Sequence, residues 1–142
     1  MIRVLLVDDH LSFRQPLAFM LRQEPDITII GQAATMAEAR PLLAEADIAL
    51  IDLDLPDEEG VDLISELLAV NPLATALVLT DCERLHESVR IRATGQFLIL
   101  DKSVAIDEII NVIRVSALKA TTDSPAIENQ VGAYWATGLA TP

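Results

Sequence analysis

Short apolar runs alternate with stretches of helical period from the first residues to about Lys119. The run Ile2-Arg3-Val4-Leu5-Leu6-Val7 has the length of a strand, and Phe13, Leu17, Met20 and Leu21 then recur at helical spacing over residues 12–23. That segment stops before Glu24-Pro25-Asp26, and Pro16 falls in its first turns, where a missing N–H costs little. Residues 28–31 predict a second strand, and Thr35-Met36-Ala37-Glu38 reads as a capping box opening a second helix, whose quality Pro41 limits. Residues 48–53 predict a third strand, 61–70 a third helix stopped by Asn71-Pro72, and 76–80 a fourth strand. A polar fourth helix is predicted over 83–93, ending near Gly95, and a fifth strand over 97–100. Ile106, Ile109, Ile110, Ile113 and Ala117 share one face of a last helix, read first as core. Such alternation predicts an α/β protein with a parallel sheet covered on both faces. After Lys119 the chain turns to Thr121-Thr122-Asp123-Ser124-Pro125 and runs to Pro142 without a sustained period, which predicts a linker.

Composition narrows the class. The 142 residues suit one domain with a real core, and 51% apolar with 23% charged residues describe a soluble globular chain rather than a disordered one. A net charge of −12, from 22 acids against 10 bases, repels nucleic-acid and anionic membrane phosphates, so direct binding to either is excluded as an expectation. The single cysteine, Cys82, rules out a disulfide framework or a thiolate cluster within the chain and predicts a reducing, cytoplasmic setting. No run approaches the roughly 18–20 apolar residues of a membrane span, and Met1-Ile2-Arg3-Val4 enters a strand without a signal-peptide pattern.

Chemistry concentrates at the predicted strand ends. Ile48-Ala49-Leu50-Ile51 closes on Asp52, and the first strand closes on Asp8-Asp9. Parallel neighbouring strands would bring these carboxylates to the sheet edge where open α/β folds bind ligands, as an oxygen-rich cation pocket. Thr80 follows the fourth strand and Lys102 the fifth. Taken singly, Thr80 reads as a strand-end cap and Lys102 as a solvated lysine; their register with the acids lifts both. His10 lies beside the acids, yet magnesium prefers oxygen, and a loop role is the plainer reading. His86 reads as solvated, and Cys82 as a small side chain near the pocket mouth.

Over residues 2–119 the chain resembles a receiver domain of a two-component response regulator, in particular the NarL/FixJ class with a LuxR-type output. The resemblance is carried by Val7-Asp8-Asp9-His10, by Pro25-Asp26-Ile27-Thr28-Ile29-Ile30-Gly31, by Asp52-Leu53-Asp54-Leu55-Pro56 with Gly60 behind it, and by Thr80 and Lys102. It implies a flavodoxin-like (βα)5 doubly wound fold with strand order 2-1-3-4-5, and a phosphoacceptor rather than an enzyme in the usual sense. Asp52 would take a phosphoryl group from a histidine kinase with Mg2+ as cofactor. Asp9, Asp52 and the backbone carbonyl of Asp54 would ligate the ion, and Asp8 would hold a metal-bound water. Thr80 and Lys102 would bind phosphoryl oxygens, and Asp54 and Cys82 would border the path of the hydrolytic water. Residues 120–142 would be a linker or tail leading to a helix-turn-helix output domain that this chain lacks, so DNA would be reached only through that domain. Homodimerisation on phosphorylation is a further implication.

The chain departs from the family pattern at three places, one of them Ala93-Thr94-Gly95-Gln96, which fits the family's small-residue motif poorly. Asp57 follows Pro56 where glycine is usual, and Ile99 stands at the position of the usual switch aromatic, with Phe97 as the nearest ring on the same face. Without that aromatic, a receiver-like interaction module that signals without phosphorylation is an alternative. Asp52-Leu53-Asp54 also resembles the nucleophile motif of haloacid-dehalogenase-type phosphatases, though Pro56 occupies a position where that motif has Thr or Val.

Overall fold

A computed structural model describes residues 1–80, 96–122 and 134–137. Its elements are β1 (Ile2–Val7), α1 (Leu11–Arg22), β2 (Ile27–Ala33), α2 (Met36–Ala39), a 3-10 helix (Arg40–Glu45), β3 (Ile48–Asp52), α3 (Gly60–Val70), β4 (Thr75–Thr80), β5 (Gln96–Asp101), α4 (Ile106–Thr122) and β6 (Tyr134–Thr137). The sheet order is β2-β1-β3-β4-β5-β6, and the first five strands are parallel. The expected order 2-1-3-4-5 is therefore present. The helix expected over 83–93, together with Cys82 and His86, lies outside the described residues.

β3 and β4 are buried at every position, as apolar strands covered on both faces must be. A two-residue period is nevertheless hidden in their continuous apolar runs. Ala49, Ile51, Ala76, Val78, Phe97 and Ile99 pack with Met36, Leu43, Ile64 and Leu67 on the α2 and α3 side. Ile48, Leu50, Leu77, Leu79, Leu98 and Leu100 pack with Leu17, Leu21, Ile109 and Ile113 on the α1 and α4 side. Each fully buried aliphatic side chain contributes about 1.5–3 kcal/mol relative to exposure, so the two clusters hold the layers together and fix the strand register.

The second helix is short because Pro41 lies just past its end. After one α-helical turn the chain tightens into the 3-10 helix that carries Pro41 at its start, where the missing N–H breaks no ladder bond. Its N-terminus is capped as the motif predicts on one side only: Thr35 Oγ1 accepts the Glu38 N–H at 3.1 Å, while Glu38 Oε1 accepts the Ala34 N–H at 2.8 Å, one residue earlier than in a reciprocal box.

The stretch expected as a linker contributes a strand that sequence periodicity does not reveal. Tyr134–Thr137 pairs antiparallel with β5, Leu98 opposite Trp135 and Gln96 opposite Thr137, and so covers the outer edge of the parallel sheet. Four residues are too few to display a period, and α4 runs three residues past Lys119.

Candidate functional site

Strand register assembles the site. Val7 is level with Ile51, so Asp8 and Asp52 emerge side by side from β1 and β3; Asp52 is in turn level with Leu79, and Thr80 with Asp101. Lys102 is anchored at the same edge by its N–H, which donates to the Thr80 carbonyl at 3.1 Å. Asp8, Asp9, Asp52, Thr80 and Lys102 are thus gathered at the C-terminal ends of four parallel strands. The side chain of Asp54 is exposed, and its N–H donates to Asp52 Oδ1 at 3.2 Å. Ile99 is fully buried with Phe97 in the α2 and α3 cluster, so no aromatic ring occupies that position. Cys82 falls outside the described residues.

Three polar side chains of the site are almost fully buried. Asp52 is 3% exposed, Asp8 5% and Thr80 1%. Beneath Asp52 the crevice wall is Leu6, Leu17, Leu50 and Leu79, which removes water from one side of the carboxylate. Lys102 Nζ answers the acids, 2.8 Å from Asp8 Oδ2 and 3.3 Å from Asp52 Oδ2, and lies 4.8 Å from the centroid of the Phe13 ring. The lysine is thus closer to Asp8 than to Asp52. Burial first, and the Asp8 charge second, push the Asp52 carboxyl up to about 6, against the opposing pull of the Asp54 N–H and Lys102. Burial works against the Lys102 ammonium, but Asp8 and Asp52 outweigh it and raise its pKa.

Two residues that sequence reasoning passed over or set aside contribute here. Arg14 Nη1 donates to the Asp8 carbonyl at 2.7 Å and so ties α1 to the end of β1. The only signal for it was its place in the first turn of a helix that begins beside the acids. The other is His10, whose Nδ1 lies 3.1 Å from Asp8 Oδ1, 3.4 Å from Asp9 Oδ1, 3.3 Å from Asp52 Oδ2 and 3.2 Å from Lys102 Nζ. Burial and Lys102 disfavour its protonation, yet the carboxylates of Asp9 and Asp8 prevail and raise its pKa.

The donor set fits a divalent cation. Asp8 Oδ2, Asp9 Oδ1 and Asp52 Oδ2 are shielded from solvent and have no aligned hydrogen bond, although Lys102 faces two of them by charge. Three carboxylates against one ammonium leave a local charge of −2, and hard oxygen donors suit Mg2+. A carboxylate oxygen held beside such an ion and a lysine is equipped to attack an electrophilic phosphorus.

Similarity to known proteins agrees with this geometry. Residues 4–114 match the family described as response regulator receiver domain. Over 100 residues the chain is 39% identical to the DNA-binding transcriptional activator DevR/DosR of Mycobacterium tuberculosis, covering 67% of this chain and 46% of that protein. It is 31% identical to the transcriptional regulatory protein LiaR of Bacillus subtilis, covering 92% of this chain and 61% of that protein. The chain thus spans about half the length of these relatives. Among solved structures, a CheY-like receiver domain protein from Methanospirillum hungatei superposes with a TM-score of 0.74 at 23% identity, covering 87% of this chain and 99% of the other. A response regulator protein from Burkholderia pseudomallei, solved with a phosphorylated aspartic acid, a calcium ion and citrate, superposes with a TM-score of 0.64 at 26% identity, covering 91% and 75%.

Proposed function

The chain belongs to the response regulator receiver domain family of two-component signalling, and we propose on that premise that Asp52 is its phosphoacceptor. One observation carries the assignment: Asp52 Oδ1 is engaged by the Asp54 N–H, whereas Oδ2 is buried, lacks a hydrogen bond and faces Lys102. Oδ2 is the atom free to attack. It forms a bond to the phosphorus of a phosphohistidine on a sensor histidine kinase as the phosphorus–nitrogen bond breaks and the imidazole leaves.

Asp8, Asp9, Asp52 and the Asp54 carbonyl would hold Mg2+, which when bound offsets the negative charge of the phosphoryl oxygens. Lys102 then exchanges its carboxylate partners for a phosphoryl oxygen, and Thr80, level with Asp101 on β4, offers a hydroxyl to another. Asp54, with its side chain in solvent, and Cys82 modulate the water that later hydrolyses the acyl phosphate. The calcium ion and phosphorylated aspartic acid of the Burkholderia protein support this chemistry.

The segment beyond α4, which lends β6 to the sheet, would lead on to a helix-turn-helix output unit that would carry any DNA binding, with homodimerisation as the readout of phosphorylation. The DNA-binding description of DevR/DosR supports that reading. No helix among the described residues is long and apolar enough to cross a membrane, and with a lone cysteine the setting proposed is the cytoplasm.

The test is incubation with acetyl phosphate, with and without Mg2+, read by intact mass on wild type and Asp52→Ala. A gain of one phosphoryl group that requires both Mg2+ and Asp52 is expected; a gain that survives Asp52→Ala overturns the assignment.

A further inference from the structure

β5 is the last strand of the parallel sheet, and its outer side is closed only by β6. An uncovered edge strand presents a row of backbone N–H and C=O groups that another strand can complete. β5 suits such pairing, because Phe97, Leu98, Ile99 and Leu100 form an apolar run without proline or glycine.

β6 is a slight closure for that edge. It lies beyond residues 4–114, the part that matches the receiver family, and its four residues stand opposite Gln96 to Ile99 only, so Leu100 and Asp101 lie past its register. As the terminal strand in the sheet order it can leave without breaking any other pairing. Residues 123–133 join it to α4 and can span about 36 Å when extended, so β6 competes for the edge as a tethered strand at an effective concentration on the order of millimolar.

Once uncovered, β5 is complementary to itself. Antiparallel pairing about a two-fold axis between Leu98 and Ile99 sets Leu98 against Ile99, Phe97 against Leu100 and Gln96 against Asp101 of a second copy. Each Asp101 then meets an amide rather than another carboxylate, and six residues pair where β6 engages four.

We propose that the outer edge of β5 is the self-association surface of this chain, that its occupant is β5 of a second copy, and that β6 holds it closed. The inference gives the homodimerisation proposed above a surface. Its test uses unphosphorylated chain, so its failure leaves the Asp52 assignment standing, and a failed labelling experiment leaves the edge untouched.

Sedimentation equilibrium of the whole chain compares wild type, Trp135→Pro and Ala136→Pro. Neighbouring residues of a strand turn their N–H groups to opposite sides, so one proline removes a bond to β5 and the other, facing outward, is the control. The first is expected to lower the dimer dissociation constant by about tenfold or more, and the control to leave it as in wild type. Two variants that associate no more than wild type overturn the proposal. Hydrogen exchange of wild type at about 10 μM and about 1 mM needs no variant: residues 134–137 should exchange faster, and residues 96–101 more slowly, at the higher concentration. Exchange that is the same at both concentrations, or a dimer in which residues 134–137 stay protected, overturns it.

Discussion

Asp57 Oδ1 accepts the Met36 N–H at 3.1 Å and its Oδ2 accepts the Ala37 N–H at 3.3 Å, so the acid that replaces the usual glycine after Pro56 caps α2 from a loop 21 residues later in the chain. The next residue continues the tie: Glu58 takes both outer nitrogens of Arg40 at 2.8 Å, and Arg40 Nε reaches Glu66 on α3 at 2.7 Å. The loop that follows Asp52 is thereby fastened to α2 and to α3.

Replacing Asp57 by Asn is expected to lower the melting temperature at neutral pH. Partial burial works against the Asp57 carboxylate, but the N–H donors of Met36 and Ala37 outweigh it and lower its pKa. A lowered carboxylate stabilises the fold above the unfolded pKa of about 4 and loses that contribution as pH falls through the folded value. Thermal melts from pH 7 down to pH 3 should show the gap between wild type and Asp57→Asn closing in the acid range; a gap that stays constant refutes the cap.

Gly60 opens α3 against the backbone of β3, where a Cβ would stand 2.4 Å from the Asp52 carbonyl oxygen and 2.9 Å from Leu53 Cα. Backbone cannot move aside as a side chain can. Gly60→Ala is expected to destabilise by about 1–3 kcal/mol in urea unfolding and to weaken Mg2+ binding, because the strain falls on the segment carrying Asp52. Wild-type stability in the variant would show that the helix start yields without cost.

In the metal-free protein Asp52 adds a contribution to stability that is greatest at low pH. Its carboxyl, raised from 3.8 to about 6, holds a proton in the folded state that the unfolded chain has released, so stability should decline as pH rises through that interval. In Asp52→Asn this contribution disappears. The stability difference between variant and wild type should therefore grow between about pH 4 and pH 6 and level off above. Mg2+ should stabilise wild type more at pH 7.5 than at pH 5, where protons compete for the same oxygens; differential scanning fluorimetry with and without the ion reads both effects.

Restoring an aromatic at Ile99 is expected to harm this chain. The side chain is 0% exposed and packed in the same cluster as Phe97, Val78 and Ile64. Ile99→Tyr adds a ring and a hydroxyl to a filled site and should cost about 1–3 kcal/mol of unfolding free energy, without increasing the yield of acetyl-phosphate labelling. A stable variant with faster labelling would show that the cluster has room for the ring.

β1, β3, β4 and β5 were legible because each is a short, almost uncharged run closed by a polar residue, and burial on both faces requires that composition. Asp8, Asp9, Asp52, Thr80 and Lys102 were legible for the same reason, since a residue that follows an apolar strand in an open sheet is placed at one edge by topology alone. The four-residue β6 was not, because pairing with β5 depends on a partner edge about 38 residues away in register rather than on any local period.

His10 and Asp57 mark the boundary. Their identities and their proximity in sequence to Asp9 and Pro56 are plain in the chain, and that proximity says nothing of reach. Whether the His10 ring turns into the pocket, and whether the Asp57 carboxylate meets the N-terminus of a helix 20 residues earlier, is decided when β1 and β3 lock into register and the following loops close over the same edge. Hydrophobic pattern acts residue by residue along the chain and sets the layers, whereas polar contacts need angstrom-scale placement that exists only after those layers have packed.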